Sequence, residues 1–220
     1  MALSGRLAKL REKAEASKGF SGDGESPFFN LKGGENAKVR LLQEFEVEAL
    51  NYDERRGLIE VIEEHASPKD FKKTAVCTAE SEGRCWACEQ TSNPEIGKKW
   101  KPKLRLYANV LVRDPEGGPA KVKILKRGFS DKDIGETLIG IAEEFEGVTG
   151  QDIKLSRTGS GMNDTAWSAI PLAQKKLTAD EEKLELIPLD KFIKHIPYDE
   201  QAAFFSGSDE GGKSGEWLSE

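Results

Sequence analysis

The sequence predicts a mainly β protein with short helices, arranged as a five- to six-stranded Greek-key barrel with an inserted lobe. Three observations carry this. Short runs alternate apolar and polar residues, as strands with one buried face do, and the clearest is Leu104, Leu106, Ala108, Val110, Val112. Turn-forming clusters separate the runs, at Asn51 to Gly57, at Asp114-Pro115-Glu116-Gly117-Gly118-Pro119 and at Gly159-Ser160-Gly161. One strong helical stripe, Ile134, Leu138, Ile141 and Phe145, comes late in the order.

The elements follow in sequence. Leu3, Leu7, Leu10 and Ala14 recur at helical spacing, with Arg6, Lys9, Arg11 and Lys13 on the other sides, so residues 3–16 read as a short basic amphipathic helix. Ser17 to Ser26 is a Gly- and Ser-rich link. Strands are expected over 37–47 and 58–64, the second running directly into His65. A polar lobe fills 65 to about 92, before the strand 104–112 and its partner through Val122 and Ile124. The helix follows, with Ser130 and Asp133 resembling a capping box and Gly147 as its stop. Strands are expected over 151–158 and 165–170, then short helix and loop over 178–195. This order resembles an OB-fold. The expected units are a basic N-terminal segment, 1–24, a core, 25–198, and a flexible acidic tail, 199–220, too polar to fold alone.

The lobe holds all three cysteines, in the pattern His65-x11-Cys77-x7-Cys85-x2-Cys88. Three cysteines cannot all pair. No apolar stretch in 1–20 resembles a secretory leader, so a reducing cytoplasm is expected, where clustered cysteines indicate metal or redox chemistry. A redox Cys-x-x-Cys belongs between a strand and a helix of a βαβ unit, whereas this one sits in polar loop sequence. A Cys3His set is a closed tetrahedral site, so one structural zinc is expected. His65 is the favoured fourth ligand, with Asp70 or Glu64 as substitutes; His195 is remote and read as structural.

The formal charge of −6 conceals strong asymmetry. Residues 1–20 are net +3, 199–220 net −5 and 98–127 net +8. Such asymmetry points to partners. No apolar run has membrane-spanning length, so a soluble protein is expected. There is no nucleophile–His–acid set, no Gly-x4-Gly-Lys loop and no paired-carboxylate motif, so catalysis is not expected.

The basic stripe contains rings. On the strand 104–112, Arg105, Tyr107, Asn109, Leu111 and Arg113 share the second face, and Trp100 lies among Lys98, Lys99, Lys101 and Lys103. Lys121, Lys123, Lys126 and Arg127 continue the charge, and Arg157 belongs with them. Cations that follow phosphates and rings that stack on unpaired bases suit a single-stranded nucleic acid. In the tail, Trp217 and Leu218 are apolar residues among acids, suited to a partner's pocket.

Together, the His65, Cys77, Cys85, Cys88 order, the entry Pro27-Phe28-Phe29-Asn30-Leu31-Lys32-Gly33-Gly34-Glu35-Asn36-Ala37-Lys38-Val39-Arg40, and Asp152 to Gly161 followed by Asp164-Thr165 resemble the zinc-containing single-stranded-DNA-binding proteins of tailed bacteriophages. The resemblance covers roughly 25–198. It implies an OB-fold core, a basic cleft partly walled by the zinc lobe, and coating of single strands during replication, recombination and repair. It further implies contacts between neighbouring protomers through the N-terminal segment, and recruitment of replication and recombination proteins by the tail. Two departures stand out: the tail is short, and the core is net negative. A zinc-ribbon interaction adaptor and a single-stranded-RNA-binding regulator are the competing readings.

Overall fold

The computed structural model describes residues 26–113, 118–161 and 164–207. The N-terminal segment 1–24, most of the turn at 114–119 and the acidic end with Trp217 and Leu218 lie outside the described residues. Seven strands and several short helices are described: β1 (Asn36–Leu41), β2 (Glu60–Ala66), β3 (Thr74–Val76), α1 (Ala79–Glu82), α2 (Trp86–Glu89), α3 (Gly97–Trp100), β4 (Lys103–Val112), β5 (Lys121–Gly128), α4 (Gly135–Phe145), β6 (Gln151–Thr158), β7 (Ala166–Gln174), α5 (Ala179–Glu182) and α6 (Tyr198–Ser206). The fold is mainly antiparallel β, as expected. None of these helices is long and apolar enough to cross a membrane.

All seven strands join one sheet, in the order β3-β2-β4-β1-β6-β7, with β5 on the other edge of β4. One edge of β4 serves two strands. Its first half pairs with β2 (Glu64↔Lys103 to Glu60↔Tyr107), and its second half with β1 (Leu41↔Val110 to Val39↔Val112). β5 pairs along the whole opposite edge. The backbone of 27–29 lies along β5, through Phe29 N–H to Ile124 O and Ile124 N–H to Pro27 O, both 2.8 Å. Trp167 N–H donates to Lys132 O at 2.9 Å, tying the start of β7 to the loop after β5. These contacts curl the sheet around a core of Val39, Leu41, Leu106, Ala108, Val110, Leu125, Ile153 and Leu155, with Leu138 and Ile141 of α4 packed on it.

The second face of β4 is not a surface. Tyr107 is 1% exposed, and Asn109 and Leu111 are equally buried. A separate apolar cluster forms at Tyr107, with Ile124, Leu189 and Ile193 at its centre and Ile62, Val76, Ile187 and Phe192 around it. Chain returning after β7 supplies the cover. Asn109 fastens it, receiving Ile187 N–H at 2.9 Å and donating to Ile187 O at 3.1 Å. Leu104, expected inside, is 42% exposed at the strand's start.

The helix α4 differs from expectation at both ends. Ser130 and Asp133 form no capping box; Asp133 instead accepts the N–H of Gly128 (2.7 Å) and of Ile134 (3.0 Å). Glu146, not Gly147, takes the left-handed position, at φ 54°. Gly147 is needed one step later, at φ 148°, because a Cβ there would meet the Glu44 carboxylate at 2.8 Å. That carboxylate is buried and collects Val148 N–H, Thr149 N–H and the Thr149 hydroxyl. Gly159 at φ 69° is similar: a Cβ would strike Asp164 O, and its own carbonyl lies against Gly33.

A buried ion network locks the strand ends to α5. Arg40, on β1, meets Asp152 at 2.7 Å, and Arg113 bridges Asp152 (2.8 Å) and Glu181 (2.5 Å). Thr178 and Glu181 form a capping box at the start of α5. The hydrogen bond from Arg113 holds the Glu181 carboxyl down at about 2, from an ordinary 4.5. A depressed carboxylate stabilises the fold above its unfolded value and loses that contribution as pH falls toward its folded value. Between about pH 6 and pH 3 the wild type should therefore lose more melting temperature than Glu181→Gln. Parallel acid limbs in thermal melts would contradict this.

Candidate metal centre and basic face

Four potential ligands converge from three elements. His65 comes from β2, Cys77 from just beyond β3, Cys85 from the entrance to α2 and Cys88 from within α2. Their ligand atoms all lie within 4.8 Å of one another. The Cys77 and Cys88 sulfurs are 3.5 Å apart, and His65 Nε2 is 3.5 Å from Cys85 Sγ and 3.4 Å from Cys88 Sγ. A tetrahedral ion with S and N bonds of about 2.3 and 2.0 Å needs ligand separations of about 3.5–3.8 Å. The cluster matches that size and can hold a metal ion.

The second ring nitrogen fixes the ligand. His65 Nδ1 lies 2.6 Å from Trp100 O, and donation to that carbonyl leaves the Nε2 lone pair facing the sulfurs. Burial also pushes the His65 pKa down, which favours the neutral ring that coordinates metals. The substitutes for His65 are committed elsewhere. Glu64 accepts the Tyr107 hydroxyl at 2.6 Å and pairs with Lys126 at 2.8 Å, while Asp70 caps its own turn through Lys72 N–H. His195 is exposed and is not among the grouped ligand atoms.

Aromatic residues close the lobe. Trp100 meets Trp86 edge-on at 5.4 Å and Phe205 at 5.3 Å, and Trp86 stacks on Phe205 at 6.2 Å. Phe205 belongs to α6, so the boundary set at 199 is corrected: 198–206 is folded and 3%-exposed Phe205 is lobe core. Gln201 of the same helix accepts from Ala87 N–H and lies 3.4 Å from Cys85 Sγ, and it donates to Thr78 Oγ1 at 2.9 Å. A Phe-Phe pair after an acidic turn was the available signal in the sequence.

Three residues expected at a nucleic-acid surface lie elsewhere. Tyr107 and Trp100 are buried rings, unavailable for base stacking, because the returning chain and the metal lobe cover them. Burial and the Glu64 hydrogen bond raise the Tyr107 pKa. Arg113 serves the ion network. Lys126 is half-buried on Glu64 and above the Tyr107 ring, and burial lowers its pKa. Lys98, Lys99, Lys101, Lys103 and Lys121 are exposed, and Lys123 and Arg105 half-buried.

Arg127 and Arg157, from β5 and β6, come together on a residue that sequence reasoning passed over, Trp167. The Arg127 guanidinium lies 3.4 Å over its ring and that of Arg157 at 6.0 Å. Arg157 donates to Leu31 O at 2.6 Å. The Nε atoms of Arg127 and Arg157 are buried without a hydrogen-bond partner. Burial brings Arg127 down to about 10; Asp133 opposes this, and the repulsion from Arg157 and Arg105 adds to it. A second overlooked residue is Phe71, 67% exposed between β2 and β3, with Lys69 and Lys72 exposed nearby. Its signal was a single ring in a lysine-rich turn.

Fold and site together define a mainly antiparallel β protein with a Cys3His cluster of metal-binding geometry. Comparison with known protein families, curated proteins and solved structures finds no match for this chain.

Proposed function

We propose that the protein binds single-stranded DNA without enzymatic activity, its lobe held by one structural zinc, in replication, recombination and repair. The observation that carries this is the arginine group around Trp167. Arg127 and Arg157 meet over the Trp167 ring, and each has a buried Nε without a hydrogen-bond partner. A chain of phosphates supplies countercharge to this group. Phe71 replaces Tyr107 and Trp100 as the ring offered to bases, and the exposed lysines around α3 extend the basic track.

The connectivity supports an OB-type barrel. With β2 and β3 set aside as part of the lobe, β1, β4, β5, β6 and β7 remain, with α4 between the third and fourth of these. The central strand β1 pairs with β4 and β6. OB barrels bind oligonucleotides on such a curved face. The resemblance to the phage single-stranded-DNA-binding proteins belongs to the same reading, as does a host-cytoplasm location.

Fluorescence titration tests it. Single-stranded DNA should bind more tightly than duplex, and log affinity should fall with log salt by about 0.7 per phosphate neutralised. Phe71→Ala should cost about 1–3 kcal/mol, the range of one base stack. Arg157→Ala should shallow the salt slope. Salt-independent affinity or preference for duplex would refute the reading, and preference for RNA would favour the regulator.

A further inference from the structure

A second cation-rich site lies at the opposite end of β6. Arg157 and its partner across the sheet, Trp167, stand near the finish of that strand. Gln151 begins it and faces Gln174, about 20 Å away at the rise of a strand. There the turn 51–56, Gly150 and the residues just past β7 enclose a pocket of about 610 Å³. Its wall carries five cations: Arg40 from β1, Arg55 and Arg56 from the turn, and Lys175 and Lys176 from beyond β7. Asp53 and Glu182 are the acids among its lining residues. Asp53 is shared, taking Arg55 at 2.8 Å while Arg56 Nε lies 3.7 Å from the same oxygen. Even with Asp152 counted, which holds Arg40 from behind and also serves Arg113, the cations outnumber the acids. Lys175 N–H donates to Gly150 O at 3.2 Å, which sets the exposed lysine pair beside the glycine. A Cβ on Gly150 would meet Asn51 Nδ2 at 2.9 Å and lie 4.0 Å from Gln174 Nε2, so two side-chain amides gather over bare backbone. The apolar part of the wall includes half-buried Leu177 and Leu50, which is 68% exposed.

We infer that this pocket binds a free nucleotide, with its phosphates on Lys175, Lys176 and Arg56 and its base against Leu50 and Leu177. Ammonium and guanidinium groups recognise phosphate oxygens through charge-assisted hydrogen bonds. The Asn51 and Gln174 amides can both donate to and accept from the edge of a base. A leucine left largely outside the core offers the apolar contact that the face of a base needs. The volume falls within the range of small-ligand sites. Inorganic phosphate or a sugar phosphate would satisfy the cations but leave both leucines uncovered. Nucleotide binding here is independent of the proposed strand site, which lies at the far end of β6.

Fluorescence anisotropy of methylanthraniloyl-labelled ATP, added to the full-length protein without DNA, tests the site. The probe should bind the wild type, and bind Lys175→Glu/Lys176→Glu about tenfold or more weakly, the scale of one lost charge-assisted contact. Equal binding to both proteins, or to neither, would overturn the assignment. Unlabelled ATP should displace the probe, pyrophosphate only at higher concentration, and adenosine not at all. Leu50→Ala should weaken ATP and leave pyrophosphate unchanged. Pyrophosphate as effective as ATP would reduce the pocket to a phosphate site and refute recognition of a base. Saturation with an oligonucleotide long enough for one protein should leave the probe bound. Its displacement would make the pocket part of the strand's own path and count against a separate site. Failure of the wild type to bind that oligonucleotide would sink the DNA reading, while the anisotropy titration still decides the pocket.

Discussion

Removing the metal, or replacing Cys88 by serine, is expected to unfold the lobe between His65 and Trp100 and to free α6. The Cys88 sulfur stands 3.5 Å from Cys77 Sγ and 3.4 Å from His65 Nε2, so its loss opens the ligand set at its centre. The apolar cluster of the lobe is small. Its buried apolar residues are Ala75, Cys85, Ala87, Trp100 and Phe205, and two large rings supply about 2–3 kcal/mol each. Structural zinc contributes an apparent 10–16 kcal/mol in small domains. A bound zinc would therefore dominate. One zinc per chain should be found in the wild type, and less in Cys88→Ser. Chelation should shift tryptophan emission to longer wavelength as Trp86 and Trp100 lose their cover, and should lower the melting temperature. Unchanged melting and emission in zinc-free protein would overturn the assignment.

The second large effect is expected at Asp152→Ala. Asp152 holds Arg40 through one oxygen and Arg113 through the other. The Arg40 side chain is 2% exposed, and it would keep only Thr149 O. Breaking a buried pair from one side strands a charge and costs about 3–5 kcal/mol. Urea titration of the two proteins measures it. A loss below about 1 kcal/mol would show that water reaches Arg40, making the pair a surface one. Replacing Arg40, Arg113, Asp152 and Glu181 together by apolar residues should cost less than Asp152→Ala, because no ion is left unmatched.

The sequence made local features readable and hid those that depend on distant chain. β6 spans the residues its pattern predicted, because both alternation and flanking turns mark it. The four clustered residues were legible because thiols are few and closely spaced. The second face of β4 was not. Tyr107 between two arginines reads as surface, yet its hydroxyl finds Glu64, 43 positions upstream, and its ring finds Leu189 and Ile193 far downstream. Alternation reports that a face is buried only when its cover is polar-free in sequence as well as in space. The same limit applied to α6: its acidic first turn drew attention away from Phe205, whose partners Trp86 and Trp100 lie over 100 positions earlier.

That last separation also governs the order in which the molecule can assemble. Gln201 lies 116 positions after Cys85, beside which it packs. Contacts of such length form late, since closing the intervening loop is costly until the intervening strands have folded and drawn its ends together. On the ribosome, the cysteines emerge long before their cover. The nascent lobe therefore exposes its thiols and both indoles throughout synthesis of the later strands, and it is sealed only when the last helix arrives.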